Sequence, residues 1–140
     1  MPLEFRAAQI VGETLRDVIQ NSVASGQTES STFDGPVILG GQVKGGEPRI
    51  CLVYTENNFI EASDDTPYFQ SGETKYAKPV MVHAYDLHMT SMDALKMQTI
   101  YFYATIKANL SIGLPLNIQT YEANSLRIVH KRRIEGDYPY

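Results

Sequence analysis

The sequence has 140 residues, the usual length of one domain, and we expect a single domain over residues 1–140. Its composition, 43% hydrophobic and 20% charged, is typical of globular proteins and excludes an intrinsically disordered chain. The single cysteine, Cys51, excludes an internal disulfide and a multi-thiolate metal site. No apolar run approaches the roughly 20 residues of a membrane span, and the first residues lack the apolar stretch of a secretory signal. We therefore expect a cytoplasmic protein with no membrane partner.

The charge is unevenly distributed along the chain. The net charge of -4 argues against nonspecific binding of nucleic acid. Residues 1–70 carry ten acidic and four basic residues, a net charge of -6, whereas residues 71–140 carry six and eight, a net charge of +2. Two halves of opposite charge fit a contact between subunits, and they equally fit two solvated faces.

The first elements in chain order are predicted to be a helix and a hairpin. Apolar residues recur at helical spacing over residues 3–24, with charged residues off that stripe. After a polar loop, two runs rich in β-branched residues, 37–43 and 49–55, flank a Gly-Gly turn and predict a hairpin. Because the first arm is almost wholly apolar or glycine, we expect it to be a central strand covered on both faces.

Further along, the pattern predicts a short strand, two helices and a second hairpin. The strand is expected over residues 59–62, and a helix over residues 73–86 with Pro79 in its second turn, where it kinks the helix or confines its regular part. The second helix should begin at Ser91, whose side chain is expected to cap it, and end near Asn109. Its expected buried stripe comprises Met92, Leu95, Thr99, Phe102 and Ile106.

The last predicted element is a hairpin with arms at residues 116–121 and 126–134 around a four-residue polar turn. The full order is helix, hairpin, two helices, hairpin. This order predicts layered helices and antiparallel sheets rather than a doubly wound parallel sheet.

Two groups of reactive residues have a structural interpretation that competes with a functional one. Cys51 lies in a predicted buried strand with no basic neighbour on its own face, so we expect a core residue rather than a nucleophile. His83, Asp86 and His88 are metal-ligand types, but the two histidines are five residues apart and do not share a helical face. We expect neither a metal nor a cofactor.

Two charged clusters are equally open to a structural interpretation. The run His130-Lys131-Arg132-Arg133 fits a solvated edge or a subunit contact better than a nucleic-acid patch, because strand alternation sends its side chains to both faces. Glu61, Asp64 and Asp65 form an acidic loop that fits solvation better than cation binding.

Two stretches are candidates for a site. Residues 65–79 deliver a glycine and polar groups to a helix N-terminus, where backbone N–H groups can bind an anion or a developing oxyanion. Residues 109–115 place the polar Ser111 in a sharp turn from helix to strand. Helix capping is the alternative interpretation of both stretches.

These stretches carry a resemblance to a known family. The motifs are Phe59-Ile60-Glu61-Ala62, Asp65-Thr66-Pro67-Tyr68-Phe69-Gln70, Gly72-Glu73-Thr74-Lys75-Tyr76 and Asn109-Leu110-Ser111-Ile112-Gly113-Leu114-Pro115. Together with residues 37–42 and 127–137, they resemble the bacterial proteasome-type proteases of the Anbu (ancestral beta subunit) family over essentially the whole chain. Where the family pattern has glycine after the tyrosine, this chain has Ala77.

The resemblance implies an α+β fold, the four-layer αββα sandwich of N-terminal-nucleophile hydrolases related to proteasome beta subunits. Family members cut peptide bonds with an N-terminal threonine, whose hydroxyl attacks and whose free amine acts as base. The strands that carry this nucleophile precede the first helices, whereas this chain starts Met1-Pro2-Leu3. We therefore expect the C-terminal part of a subunit, lacking its N-terminal strands and inactive as a peptidase by itself.

The resemblance also implies site residues and partners. By position, Ser111 resembles the serine that supports the terminal amine, and Asn109, Glu73 and Thr74 are weaker candidates for the same role. The family's habit implies a homo-oligomeric ring or spiral and a peptide or unfolded-protein substrate. A non-catalytic assembly or binding module on the same scaffold is the alternative function.

Overall fold

The computed structural model describes residues 3–26, 35–56, 58–72 and 78–136, without the side chains of residues 78–80. The chain divides into two compact units, Met1–Gly72 and Glu73–Tyr140, called here the first and the second unit. Glu73 and Thr74 lie outside the described residues.

The first unit consists of one helix and one antiparallel sheet. Helix α1 spans Leu3–Ala24. Strands β1 (Val37–Gly41), β2 (Arg49–Val53) and β3 (Phe59–Glu61) follow, in the spatial order β1-β2-β3. The predicted helix, hairpin and short strand are thus confirmed, with strands a little shorter than expected. Gly45, at φ +84°, occupies a conformation of the hairpin turn that only glycine adopts readily.

The expectation that the first hairpin arm is central is wrong. Because β3 pairs with β2, the central strand is β2, and β1 lies at the edge of the sheet that the described residues form. Cys51, Leu52 and Val53 of β2 are buried, whereas no residue of β1 is fully buried. The apolar, glycine-rich run of β1 lacks charge but says nothing about which strand pairs with it, and its two glycines have no side chain to bury.

The core of the first unit lies between α1 and one face of the sheet. Ala8 is fully buried and packs with Cys51 and Val53, surrounded by the partly buried Val11, Leu15, Leu39 and Phe59. The small side chain of Ala8 lets the helix approach the sheet closely, which excludes water from the central strand.

The second unit contains two helices and a hairpin. Helix α2 spans Lys78–Ala84 and helix α3 Ser91–Ala108. Strands β4 (Leu116–Tyr121) and β5 (Ile128–Ile134) pair antiparallel. Of the predicted helix over residues 73–86, the structure describes the part Lys78–Ala84, which contains Pro79.

The predicted cap of α3 is wrong by one residue. Thr90, not Ser91, is the N-cap: its backbone is extended (φ -66°, ψ 152°) and its side-chain oxygen accepts a hydrogen bond of 3.1 Å from the Asp93 N–H. Ser91 already lies within the helix. Threonine and serine are both favourable N-cap residues, so the sequence alone does not decide between Thr90 and Ser91.

The predicted buried stripe of α3 is wrong in part: Leu95 and Ile106 are half-buried, but none of its five residues is fully buried. The buried residues are Met97, Tyr101 and Thr105, whereas Met92 is 60% and Phe102 41% exposed. Apolar and aromatic residues occur all round this helix, so spacing alone does not fix which face is covered. Thr105 tolerates burial because its hydroxyl donates a hydrogen bond of 3.0 Å to the carbonyl oxygen of Tyr101.

The second hairpin has the predicted first arm and a longer turn. Its connection runs over residues 122–127 instead of four residues, with a register irregularity between Thr120 and Tyr121. Two non-glycine residues of the turn have positive φ, Asn124 at +66° and Leu126 at +51°. Along β4, half-buried and exposed residues alternate, as expected for a strand with one face covered.

Helices combined with antiparallel sheets make the fold α+β, as expected.

Candidate functional site

The turn between α3 and β4 is held by its own hydrogen bonds. The Asn109 N–H donates to the Thr105 carbonyl (2.9 Å), and the Asn109 carbonyl accepts from the Ile112 N–H (3.2 Å). The side-chain oxygen of Asn109 accepts a further bond, 2.9 Å long, from the Ser111 N–H. Asn109 therefore ends the helix and fixes the backbone of the two residues that follow it.

This arrangement presents Ser111 at the surface. Ser111 is exposed, and Leu110 beside it is completely exposed. The capping interpretation is therefore correct for Asn109. Its side chain holds Ser111 through the backbone N–H of Ser111, so the Ser111 hydroxyl takes no part in these bonds. A hydroxyl on a fixed backbone can donate to or accept from a reacting group that lies against this turn.

The second candidate stretch is described only in part. Gly72 has φ +88°, a left-handed conformation that disfavours any other residue. Gln70 has a buried side-chain nitrogen that lacks a partner among the described residues. Because Glu73 and Thr74 lie outside those residues, their supporting role stays a prediction, as does that of Ser111 and Asn109.

Cys51 is a core residue, as expected, although one premise of that expectation is wrong. It is 3% exposed, and burial raises the pKa of its thiol, with a further increase from the Glu61 carboxylate. Arg49, two residues earlier on the same strand, does lie on the same face and acts to lower that pKa, but the opposing effects prevail. A protonated, buried thiol is a poor nucleophile.

A feature that the sequence analysis missed surrounds Arg49. Its guanidinium forms an ion pair with Glu61 on the adjacent strand and lies 5.1 Å from the centre of the Phe5 ring. Phe5 in turn stacks on Phe59, with ring centres 5.6 Å apart. These contacts join the start of α1 to the sheet. None of these contacts could have been found from sequence, since even the cross-strand charge pair depends on the register of the sheet.

Next to this cluster lies a small, mainly apolar cleft of about 130 Å³. It is lined by Glu4, Ala7, Leu39, Gly40, Gly41, Gln42, Val43, Arg49 and Cys51. Its volume is far below that of a typical small-molecule pocket, which starts at about 300 Å³. The cleft therefore gives no support for a cysteine enzyme.

The described residues give no support for a metal centre. The Asp86 carboxylate accepts a hydrogen bond of 2.7 Å from the His88 backbone N–H, which makes it part of a local turn. His83 lies in the last turn of α2, and both histidines are exposed. Within the part of the chain that the structure describes, no three His, Cys, Asp or Glu side chains are grouped so as to hold a metal ion.

None of the three helices in the described part of the chain is long and apolar enough to cross a lipid bilayer.

Comparison with known proteins identifies relatives among solved structures. No protein-family model matches the sequence, and neither does any curated protein. Anbu (ancestral beta-subunit) from Yersinia bercovieri is 39% identical with a TM-score of 0.86, over 97% of this chain and 56% of that one. A helical assembly of the Anbu complex from Pseudomonas aeruginosa gives 33% identity and a TM-score of 0.86, over 96% of this chain and 56% of that one.

A third structure agrees with the first two. The Anbu (Gly-1) mutant from Hyphomicrobium sp. strain MC1 is 38% identical with a TM-score of 0.82, over 95% of this chain and 53% of that one. The similarity thus extends over nearly every residue of this chain and about half of each relative. The chain therefore belongs to the Anbu (ancestral beta-subunit) family, of whose subunits it spans little more than half.

Proposed function

We propose that this chain is part of a proteasome-type threonine peptidase that hydrolyses peptides or unfolded proteins. The observation that carries the proposal is the similarity to Anbu subunits at 33–39% identity along almost the whole chain. The nucleophile would be an N-terminal threonine, which these 140 residues do not offer, so we propose that they cleave no peptide by themselves.

The turn between α3 and β4 is the part of the chain that we assign to the active site. In this proposal the Ser111 hydroxyl oxygen accepts a hydrogen bond from an N–H of the terminal amine, which leaves the nitrogen lone pair free to point at the threonine hydroxyl, while Asn109 positions Ser111. Glu73 and Thr74 are proposed to assist in the same role. The exposure of Ser111 supports this assignment, since a reacting group must be able to reach it.

The same proposal includes a four-layer αββα sandwich, one domain, and assembly into a homo-oligomer in the cytoplasm. Exposed apolar side chains on α3 and just after it support further packing, since large apolar surface is normally covered. They are Met92, Ile100, Phe102, Tyr103 and Leu110. The helical assembly of the Pseudomonas aeruginosa relative supports an oligomeric ring or spiral.

The test joins this chain to the part of the Yersinia bercovieri subunit that it does not match. We expect the chimera, but not the 140-residue chain, to cleave fluorogenic peptides, with activity abolished by a threonine-directed electrophile. Ser111→Ala in the chimera should lower kcat/KM roughly 100-fold, the lower range for a group that positions a proton transfer. Ser91→Ala, an exposed serine at the other end of α3, is the matched control and should leave kcat/KM unchanged.

The alternative, a non-catalytic assembly module, predicts a folded chimera without peptidase activity. If Ser111→Ala and Ser91→Ala had equal kcat/KM in an active chimera, the peptidase proposal would be supported and the proposed role of Ser111 in the active site would be refuted.

A further inference from the structure

Strand β5 carries a concentrated positive charge that the hairpin does not neutralise. His130, Lys131, Arg132 and Arg133 are all exposed. Their register partners on β4 are the uncharged Thr120, Gln119, Ile118 and Asn117. In the described part of the chain Arg133 has an ion pair with Glu135, whereas none involves Lys131 or Arg132. Residues 130–133 are called the basic strand below.

A compact turn of the first unit carries the opposite charge. Ser63 and Thr66 exchange two backbone hydrogen bonds, of 3.2 and 3.1 Å, and the Ser63 hydroxyl accepts a third, of 3.2 Å, from the Thr66 N–H. These bonds close a turn with Asp64 and Asp65 at its tip, both exposed and without an ion pair among the described residues. Residues 63–66 are called the acidic turn.

The two surfaces are complementary in charge, and the turn is ordered before binding. The acidic turn is narrow and already ordered, so binding it costs little conformational entropy. Adjacent residues of a strand point in opposite directions, so the basic strand presents a cation, Lys131 or Arg132, on whichever face of the hairpin the turn approaches. The surrounding charge has the same sense: residues 1–72 carry a net charge of -6 and residues 73–140 of +2. Attraction over several ångströms therefore favours the same encounter.

We propose that the basic strand of one copy of this chain binds the acidic turn of a second copy. The inference rests on the homo-oligomer proposed above and names its contact surface. Because the two surfaces differ, the contact is heterologous, and each copy retains one free surface of each kind. Repetition of such a contact produces a ring if it closes and a helix if it does not.

Sedimentation velocity of the 140-residue chain tests the inference. We expect oligomers in about 50 mM NaCl that dissociate in about 500 mM, because salt screens exposed charges. The variants K131E/R132E and D64K/D65K should each weaken self-association at least about tenfold in low salt, since like charges then face each other. R16E/K44E, which reverses two exposed cations elsewhere and so matches the net charge of K131E/R132E, should assemble as the unmodified chain does.

Mixing the two charge-reversed variants is the decisive step. Each reversed surface then meets its complement, so the mixture should regain the oligomers that both variants lack alone. Circular dichroism of each variant establishes that folding is unchanged.

Three results would overturn the inference. If the oligomers persisted in high salt and in both charge-reversed variants, the homo-oligomer would be supported but its contact surface would lie elsewhere. A monomer in both salt concentrations would remove the homo-oligomer itself. Binding of a fluorescent oligonucleotide, lost in K131E/R132E while self-association is unchanged, would assign the basic strand to nucleic acid.

Discussion

The strands of the two units have similar sequence patterns but differ in how deeply they are buried. The sheet of the first unit buries its central strand: Cys51 and Val53 pack with Ala8 of α1 on one face, and Leu52, which points to the other face, is buried as well. In the hairpin of the second unit no residue of β4 or β5 reaches that degree of burial. A strand pattern therefore predicts pairing in both places, while the burial depends on what packs against the strands.

The difference implies different sources of stability. The first unit draws on the removal of apolar surface from water in one small cluster. In the second unit the buried apolar residues, Met81, Met97 and Tyr101, lie on the helices, so the hairpin itself depends more on turn conformation and on strand pairing. Substitutions of each kind should therefore have unequal effects in the two units.

The largest effect is expected from removing core volume in the first unit. Val53 is 1% exposed, so Val53→Ala should lower the free energy of unfolding by about 2 kcal/mol through lost burial and the cavity left behind. Val129→Ala, on the half-buried position of β5, is the matched control and should cost less than about 1 kcal/mol. Urea unfolding of both variants measures the difference, and equal losses would refute the contrast between the two sheets.

The two hairpin turns offer a second contrast. Gly45→Ala should destabilise by about 1–2 kcal/mol, because alanine is strained at φ +84°. Gly41→Ala, in β1 with open space around it, should change stability by less than about 0.5 kcal/mol. Leu126→Gly, at φ +51° in the second turn, should change the free energy of unfolding by less than about 0.5 kcal/mol. Glycine relieves the backbone strain, but it also removes the contacts of the leucine side chain and gives the unfolded chain more freedom, so the effects nearly cancel. A large loss at Leu126 would show that its side chain, 47% exposed, packs more tightly than its exposure indicates.

Much of the fold could be predicted from sequence because it is set by local patterns. Helical spacing gave the bounds of α1, and alternation with polar turn residues gave β4. The sequence analysis expected β1 to be the central strand, but β2 is central because β3 pairs with it. No local sequence pattern indicates this pairing. The face of α3 was missed because its apolar residues surround the helix, so tertiary packing selects Met97 and Tyr101.

The candidate site could be predicted in outline for the same reason. A helix-ending asparagine followed by serine, glycine and proline indicates a turn, and the structure places Asn109 and Ser111 in one. The ion pair and ring contacts of Arg49 could not be predicted, since they join residues 5, 49, 59 and 61 across three elements. Their formation depends on the register of the sheet.

The cap of α3 tests the local bonds of the second unit. Thr90→Ala should lower the free energy of unfolding by about 1 kcal/mol, because the Asp93 N–H loses its acceptor. Ser91→Ala should cost less than about 0.5 kcal/mol, since Ser91 is exposed within the first turn. If the two losses were reversed, Ser91 would be the cap in solution.

The smallest expected effects are changes in stability with pH, which should differ between the two units. The hydrogen bond from Thr90 and the nearby Lys96 lower the pKa of Asp93, so its carboxylate stabilises the second unit above the unfolded pKa, and this contribution is lost as pH falls through the lower native value. Burial raises the pKa of the Cys51 thiol, so that contribution is present below its unfolded pKa and is lost as pH rises through the higher native value. We therefore expect acid to weaken the second unit and alkali the first.

Hydrogen exchange of amides in β2 and α3, measured across pH and corrected for the intrinsic rate, resolves these two losses by unit. Cys51→Ala should remove the alkaline loss from β2 while leaving the acid loss in α3. Thr90→Ala should do the reverse, and carbon-detected titration of the Asp93 carboxyl should show its pKa rising toward the ordinary value. If both losses instead appeared together in both units, the two units would unfold as one cooperative body, and the core of β2 would support the hairpin as much as its own sheet.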